Sequence, residues 1–281
     1  MDKAIIVLQT DFTYMEGAVA SMYGVIKSVD SSLQIYDATH EIPHFDTWSA
    51  SYRLIQYVRF WPKGTVFVSV VDPGVGTMRR ASLAVTTDGY YILSPDNGTF
   101  YHLLKEKKIE KIYEIDIEKH RLRGYSTDNV SVFHGRDVFS YVAAKLASLQ
   151  LKADEVGPSY PLEEIVGFNE QDAYIEDSTI YGYIEIADPN FGNLWTNIPI
   201  KLFHEAEYIY GSMISVEISC NKNVLFCKKL PFEASFGYVE IGELVIYQNE
   251  MKRIALAISR GNLVQEYKLG FGPEWEVRFW I

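Results

Sequence analysis

Apolar residues in the first half of the chain gather into short runs that alternate with segments of helical spacing. Ala4 to Leu8 is one such run, ending in Gln9-Thr10-Asp11, and Val66 to Val71 is a second, mostly β-branched one. Runs of this length without polar alternation predict strands buried on both faces, as in a parallel sheet. Between them, residues 16–29 place Val19, Met22, Tyr23, Ile26 and Val29 on one side of a helix. Trp48 to Phe60 reads as another helix that stops before Pro62. Leu33 to Tyr36 is a short strand. Ser82 to Thr86 and Tyr90 to Leu93 form a hairpin about Asp88-Gly89, residues 99–106 a short helix, and Ile109 to Ile115 a strand. Phe133 to Asp137 leads into a helix ending near Leu149. This alternation predicts a three-layer α/β domain with a mostly parallel sheet over residues 1–160.

The texture changes after Val156. Gly157, Pro158 and Pro161 mark a linker, and short alternating runs follow at Thr179 to Ala187, Ile214 to Ser219, Leu244 to Tyr247 and Ile254 to Ile258. Gly, Asn and Pro separate them, which predicts a smaller, mostly-β second domain over residues 170–281. With 48% hydrophobic residues in 281, both domains can bury a core. A net charge of −11 without any Lys/Arg block argues against nucleic acid or an anionic membrane as a partner. The first apolar run is too short for export or spanning. Cys220 and Cys227 flank the turn Asn221-Lys222-Asn223 and are most simply free thiols. The expectation is a cytoplasmic protein.

Polar residues at the ends of the buried runs carry the chemistry. The stretch VFVSVVDPGVGTMRR, residues 66–80, puts Asp72 at the end of a strand, followed by a Pro/Gly turn and by Arg79 and Arg80. Open α/β sheets place ligands at such strand ends, although the same stretch also describes a surface turn with an ordinary ion pair. Asp11 ends the first strand in the same way. It meets Asp72 in one crevice if the two strands are neighbours, and otherwise reads as a helix N-cap. Gly74-x-Gly76 lacks the third glycine of a dinucleotide fingerprint, since Arg79 stands there, and no P-loop lysine follows. His40 and His44, among Asp37, Glu41 and Asp46, are read as loop histidines and not as a metal cluster. His134 precedes a helix N-terminus, where the dipole disfavours the imidazolium. Asp188 to Asn197, DPNFGNLWTN, suits either a site for a small cationic, aromatic-bearing ligand or an aromatic-buttressed loop.

Taken together, TDF at 10–12, FWPKGTVFVSVVDPGVGTMRR at 60–80, SPDNG at 94–98, FHGRD at 133–137 and DPNFGNLWTNI at 188–198 resemble the S-adenosyl-L-methionine (SAM) hydroxide adenosyltransferases. These SAM hydrolases are related to the fluorinases and chlorinases. The resemblance spans nearly the whole chain in order. It implies an α/β N-terminal domain and a barrel-like C-terminal one. It also implies attack of water or hydroxide on C5′ of SAM, which is substrate and not cofactor, giving adenosine and L-methionine without a metal. Asp72, Arg79 and His134 are the catalytic set on this likeness. Asp11 holds the ribose hydroxyls, Asp188 pairs with the methionine ammonium, and Phe191, Asn193 and Trp195 line the pocket. Asn249 falls in the motif near the methionine carboxylate. A homotrimer with active sites at subunit interfaces is implied as well.

Two other readings stay open. The 5′-halogenases resemble this chain but carry Tyr in place of Asp72, Tyr-Ser in place of His134-Gly135, and an inserted loop before SPDNG. A non-catalytic SAM- or adenosine-binding protein has no need of the intact Asp72, Arg79 and His134. The chain departs from the family at Asn249-Glu250-Met251-Lys252, where the family tends to show Asn-Ser-x-Gly, and at Glu16, where it usually has Asp.

Overall fold

In a computed structural model that describes residues 3–124, 127–128 and 132–281, the chain divides into two units, the second beginning at Asn169. The first is organised by a six-stranded sheet of order β2-β1-β3-β5-β4-β6. Its strands are β1 (Ile6–Thr10), β2 (Ile35–Thr39), β3 (Val66–Val70), β4 (Ala81–Thr86), β5 (Tyr91–Pro95) and β6 (Ile109–Glu114). The pairs β1/β2, β1/β3 and β3/β5 are parallel, while β4 runs antiparallel to β5 and β6. Every residue of β1 and β3 is buried, as their unbroken apolar character requires.

Alternation along these strands assigns the two faces. Ile6, Leu8, Val66, Val68 and Val70 join a core with α1 (Ala18–Val29) and α5 (Tyr141–Ala147), to which α1 gives Met22 and Ile26. On the other face Gln9 Nε2 donates to the Ala50 carbonyl of α2 (Thr47–Tyr57) at 3.0 Å, and Phe67 packs edge-on against Tyr90. The result is the three-layer α/β arrangement expected. The hairpin at Asp88-Gly89 is present, with Gly89 at φ +87°.

Several boundaries move. The first helix begins at Ala18, with Gly17 as its N-cap, so Asp11 caps no helix; Asp46 caps α2 instead, accepting from Ser49 N at 2.9 Å. β2 covers 35–39 and not 33–36, because it is an edge strand with Tyr36, Asp37 and Ala38 exposed, and backbone pairing to β1 defines it more than burial does. Two short helices, α3 (Tyr101–Lys105) and α4 (Ile117–His120), precede and follow β6. The helix after His134 opens as a π-helical turn, Gly135–Ser140, before α5. There the Ser140 hydroxyl donates to the Gly135 carbonyl at 2.7 Å, satisfying an acceptor inside the widened turn.

The second unit is one antiparallel sheet of order β11-β10-β14-β8-β9-β13-β12, with β7 (Tyr174–Glu176) paired to β8. Its strands are β8 (Thr179–Ala187), β9 (Leu194–Pro199), β10 (Met213–Cys220), β11 (Asn223–Pro231), β12 (Leu244–Gln248), β13 (Arg253–Ile258) and β14 (Trp275–Trp280). A bridge between Phe232, just past β11, and Ile246 of β12 nearly closes the sheet into a barrel. The hairpin between β10 and β11 turns at Asn221 and Lys222, both with positive φ, as a two-residue primed turn demands. Cys220 and Cys227 are free thiols, facing Asn223 and Glu217 across the ladder.

In this unit Arg253 Nη1 lies 2.6 Å from Oε2 of Glu185, whose side chain is inaccessible to solvent. Removing one member takes this contact away from a charge that stays buried. Arg253→Met should lower unfolding free energy by about 3–5 kcal/mol. Glu185→Leu combined with Arg253→Met should recover most of that loss, a cycle read by urea unfolding.

Candidate active site

β1 and β3 are parallel neighbours in the register Thr10↔Val70, so Asp11 and Asp72 both emerge at adjacent carboxyl ends of the sheet. The loop carrying Asp72 and Arg79 is held at both ends by consecutive residues of the SPDNG turn. Asn97 Nδ2 donates to the Val71 carbonyl at 2.8 Å, and Asp96 N donates to the Arg80 carbonyl at 2.9 Å. Within the loop, Gly76 takes φ +75°, and a Cβ at Gly74 would press on Arg79 Cγ. Glycine at 74 thus gives Arg79 its path back to the strand end.

Arg79 grips Asp72 with two hydrogen bonds, Nε to Oδ1 at 2.9 Å and Nη2 to Oδ2. Both side chains are at least nine-tenths buried, which removes the reading of a solvated surface pair. Nη2 also lies 3.0 Å from His134 Nδ1, and the guanidinium carbon sits 5.6 Å from the Phe139 ring centroid. Guanidinium only donates, so Nδ1 accepts and the proton of the neutral ring is on Nε2. Burial, and next the positive charge of Arg79, push the His134 pKa below its ordinary value; Arg121 adds to this, while Asp72 and Asp137 oppose it. Arg79 Nη1 is buried and has no hydrogen-bond partner among the described residues.

A cavity of about 570 Å³ opens onto this group; Asp72 and His134 line it together with apolar Phe12, Val75 and Phe133 and with charged Glu16 and Arg136. Phe12 and Phe133 meet edge to face, centroids 5.7 Å apart. Their part in the wall was not read from the sequence, though both stand beside polar motif residues in TDF and FHGRD. Asp11 is not among the lining residues. Its Oδ2 accepts from Phe45 N at 2.9 Å and its carbonyl from His44 Nδ1 at 2.9 Å, while Oδ1 accepts no hydrogen bond among the described residues. His40 spends its ring nitrogens on Thr10 and Asp37. Among the described residues no group of three or more His, Cys, Asp or Glu is placed to hold a metal ion.

In the second unit the DPNFGN segment turns between β8 and β9. Asp188 Oδ1 accepts from Asn190 N at 2.9 Å and Phe191 N at 3.3 Å, and Asp188 N donates to the Asn193 carbonyl at 2.8 Å. Phe191 is two-thirds exposed. It borders a second cavity, of about 840 Å³, with Asn190, Asn193, Phe236, Ser259 and Asn262. Asp188, Trp195 and Asn249 lie outside that lining. Trp195 is buried, its indole N–H 3.3 Å from the Tyr247 hydroxyl, and burial raises that phenol to about 12. Asn249 Oδ1 caps its own turn, accepting from Met251 N at 2.9 Å and Arg253 N at 3.0 Å. Its Nδ2 is buried without a partner among the described residues.

Comparison with known proteins extends over the same two units. Residues 6–157 match the model of the SAM hydroxide adenosyltransferase N-terminal domain and residues 182–276 that of its C-terminal domain. A relative named (R)-S-adenosyl-L-methionine hydrolase, from Methanocaldococcus jannaschii, is 31% identical over 83% of this chain and 80% of its own. A fluorinase from Actinopolyspora mzabensis is 25% identical over 96% of this chain and 95% of its own. The crystal structure of an uncharacterised conserved protein from Thermotoga maritima superposes with a TM-score of 0.86 at 29% identity, covering 99% of this chain and all of the other.

The electrostatics of the strand-end group are testable without substrate. A histidine whose folded pKa is depressed stays neutral until the pH falls below its ordinary range near 6.5. NMR titration should therefore place the His134 midpoint below 6.5, and Arg79→Met, which removes a repelling charge, should move that midpoint upward. A midpoint at or above 6.5 in the wild type contradicts the bond from Arg79.

Proposed function

The chain belongs to the SAM hydroxide adenosyltransferase family, and on that premise we propose that it hydrolyses S-adenosyl-L-methionine to adenosine and L-methionine. The observation that carries this reading is the buried chain Asp72–Arg79–His134, in which Asp72 and His134 line a cavity beside Phe12 and Phe133. The sulfonium is already a good leaving group, so the reaction lacks only a nucleophile, since bulk water has a pKa of about 15.7. Water attacks C5′, the C5′–S bond breaks with its electron pair going to sulfur, and one proton is released. Arg79 cannot take that proton, but its free Nη1–H stabilises the forming hydroxide where burial makes each charge count for more. The acceptor on the neutral His134 ring is Nδ1, so proton uptake goes with Arg79 shifting its Nη2 from that nitrogen toward the oxygen. Asp72 fixes the guanidinium through both movements.

Substrate holding is assigned by family likeness. Asp11 takes the ribose hydroxyls with its free Oδ1, Asp188 the methionine ammonium, and Asn249 the amino-acid end through its unspent Nδ2. Phe191 and Asn193 line the second cavity, and Trp195 bonds Tyr247, whose ring packs edge-on against Phe236 of that lining. No cofactor is called for. We place the protein in the cytoplasm as a homotrimer. In it the strand-end group of one copy works with the Asp188–Trp195 segment of another, as a head-to-tail ring allows. Exposed Met15, Met78 and Val132 in the first unit, and Phe191, Phe236 and Tyr238 in the second, supply apolar surface for such an assembly.

Purified protein incubated with SAM in ¹⁸O-water should yield adenosine and methionine in equal amounts, with the label on the adenosine 5′-oxygen. Tight binding without turnover, or a 5′-halo product formed with halide, overturns the assignment. His134→Ala should lower kcat by about 10²-fold with little change in SAM affinity, whereas Asp188→Ala should weaken binding. For the assembly, Asp72→Ala and Asp188→Ala chains co-refolded in equal amounts should regain about a quarter of wild-type activity. Activity no higher than the parents despite subunit exchange means that each chain closes its own site.

A further inference from the structure

We propose that His40 is a positioning residue that holds Asp11 in place, so that preference for an intact ribose depends on a side chain remote from the substrate. The inference rests on the reading of Asp11 as the ribose-holding carboxylate. His40 is buried and makes two attachments to the turn after β1. Its ring Nδ1 lies 2.7 Å from Thr10 Oγ1, and its backbone carbonyl accepts from Thr13 N at 2.8 Å. Thr10 and Thr13 are the residues on either side of Asp11-Phe12. One residue thus grips both ends of the dipeptide that carries the carboxylate and a wall of the cavity.

The direction of each bond follows from the groups involved. Asp37 Oδ1, 2.9 Å from Nε2, can only accept, so the ring proton is on Nε2. In the tautomer with its proton on Nε2 the ring accepts at Nδ1, and the Thr10 hydroxyl donates to it. The same hydroxyl oxygen accepts from Phe12 N at 3.1 Å, so the chain runs from the Phe12 backbone through Thr10 and His40 to Asp37. Asp37 is fixed in turn by Tyr14, whose hydroxyl donates to Oδ2 at 2.6 Å, and by Tyr23 of α1. The Tyr14 ring stands edge-on to the imidazole with centroids 4.9 Å apart. Thr13 adopts φ +55°, a conformation that costs energy for a β-branched residue and persists only where neighbours hold it. The Asp37–His40 pair therefore serves the turn and leaves no ring nitrogen for a metal.

The test uses the full chain with two substrates, SAM and its 2′-deoxyribosyl analogue, and reads the ratio of their kcat/KM values. A lost hydrogen bond to a carboxylate is worth on the order of tenfold or more, which sets the expected wild-type preference for SAM. Asp11→Ala should bring the ratio to within about threefold of unity. His40→Gln and Asp37→Asn should lower it at least about fivefold while kcat on saturating SAM changes less, and Thr10→Ser, which keeps the hydroxyl, should hold the wild-type ratio. Equal losses on both substrates in the His40 and Asp37 variants leave the ratio untouched and overturn the proposal, showing a structural role only. If Asp11→Ala itself keeps the preference, the ribose assignment fails and this inference with it. If Asp11→Ala abolishes the preference and His40→Gln does not, this inference alone fails. Should His40→Gln not fold, Asp37→Asn carries the comparison.

Discussion

Everything at the strand-end site depends on one guanidinium. Arg79 is held flat against Asp72 by two parallel hydrogen bonds and uses the same Nη2 to reach His134, 55 residues further on. Because arginine has no acceptor, this contact settles the tautomer of the imidazole. Because arginine is charged, it also lowers the imidazole pKa. A lysine there would offer a point charge without the planar fork and could not serve both neighbours in one plane. The burial that makes the group useful also requires it to stay paired, since a lone carboxylate at Asp72 would be costly.

The sequence made much of this legible. Unbroken apolar runs at 4–8 and 66–71 predicted buried strands, and placing Asp11 and Asp72 at their ends required only that the two strands be neighbours, which they are. Arg79 follows Asp72 by seven residues across a Pro/Gly turn, so their meeting was within reach of local reasoning. The contact to His134 was not, because no periodicity relates residues so far apart, and only family likeness joined them. The π-helical turn at Gly135–Ser140 was invisible for a different reason: its residues are compatible with an ordinary helix, and one widened turn leaves no mark on an apolar pattern.

The second unit shows the limit of composition as a guide. Asp188, Phe191, Asn193 and Trp195 read together as a pocket, yet the first three belong to the turn between β8 and β9 and Trp195 to β9 itself, so their side chains have different duties. Trp195 pairs with Tyr247 in the interior, while Phe191 stands exposed beside a cavity. Asp188 shapes its own turn through backbone N–H groups. A carboxylate so used keeps its position when no ligand is present, which is the sense in which a buttressed loop and a binding site can be the same object.

The Asp72–Arg79 pair has no net charge, whereas the chain as a whole carries −11. A sulfonium substrate bearing one net positive charge is drawn toward such a protein from a distance, by a field that the pair neither adds to nor cancels. Cleavage of the C5′–S bond removes that attraction, since adenosine is neutral and methionine a zwitterion. The acidic surface therefore acts on the molecule that arrives and not on those that leave, and it does so in proportion to how little salt surrounds it.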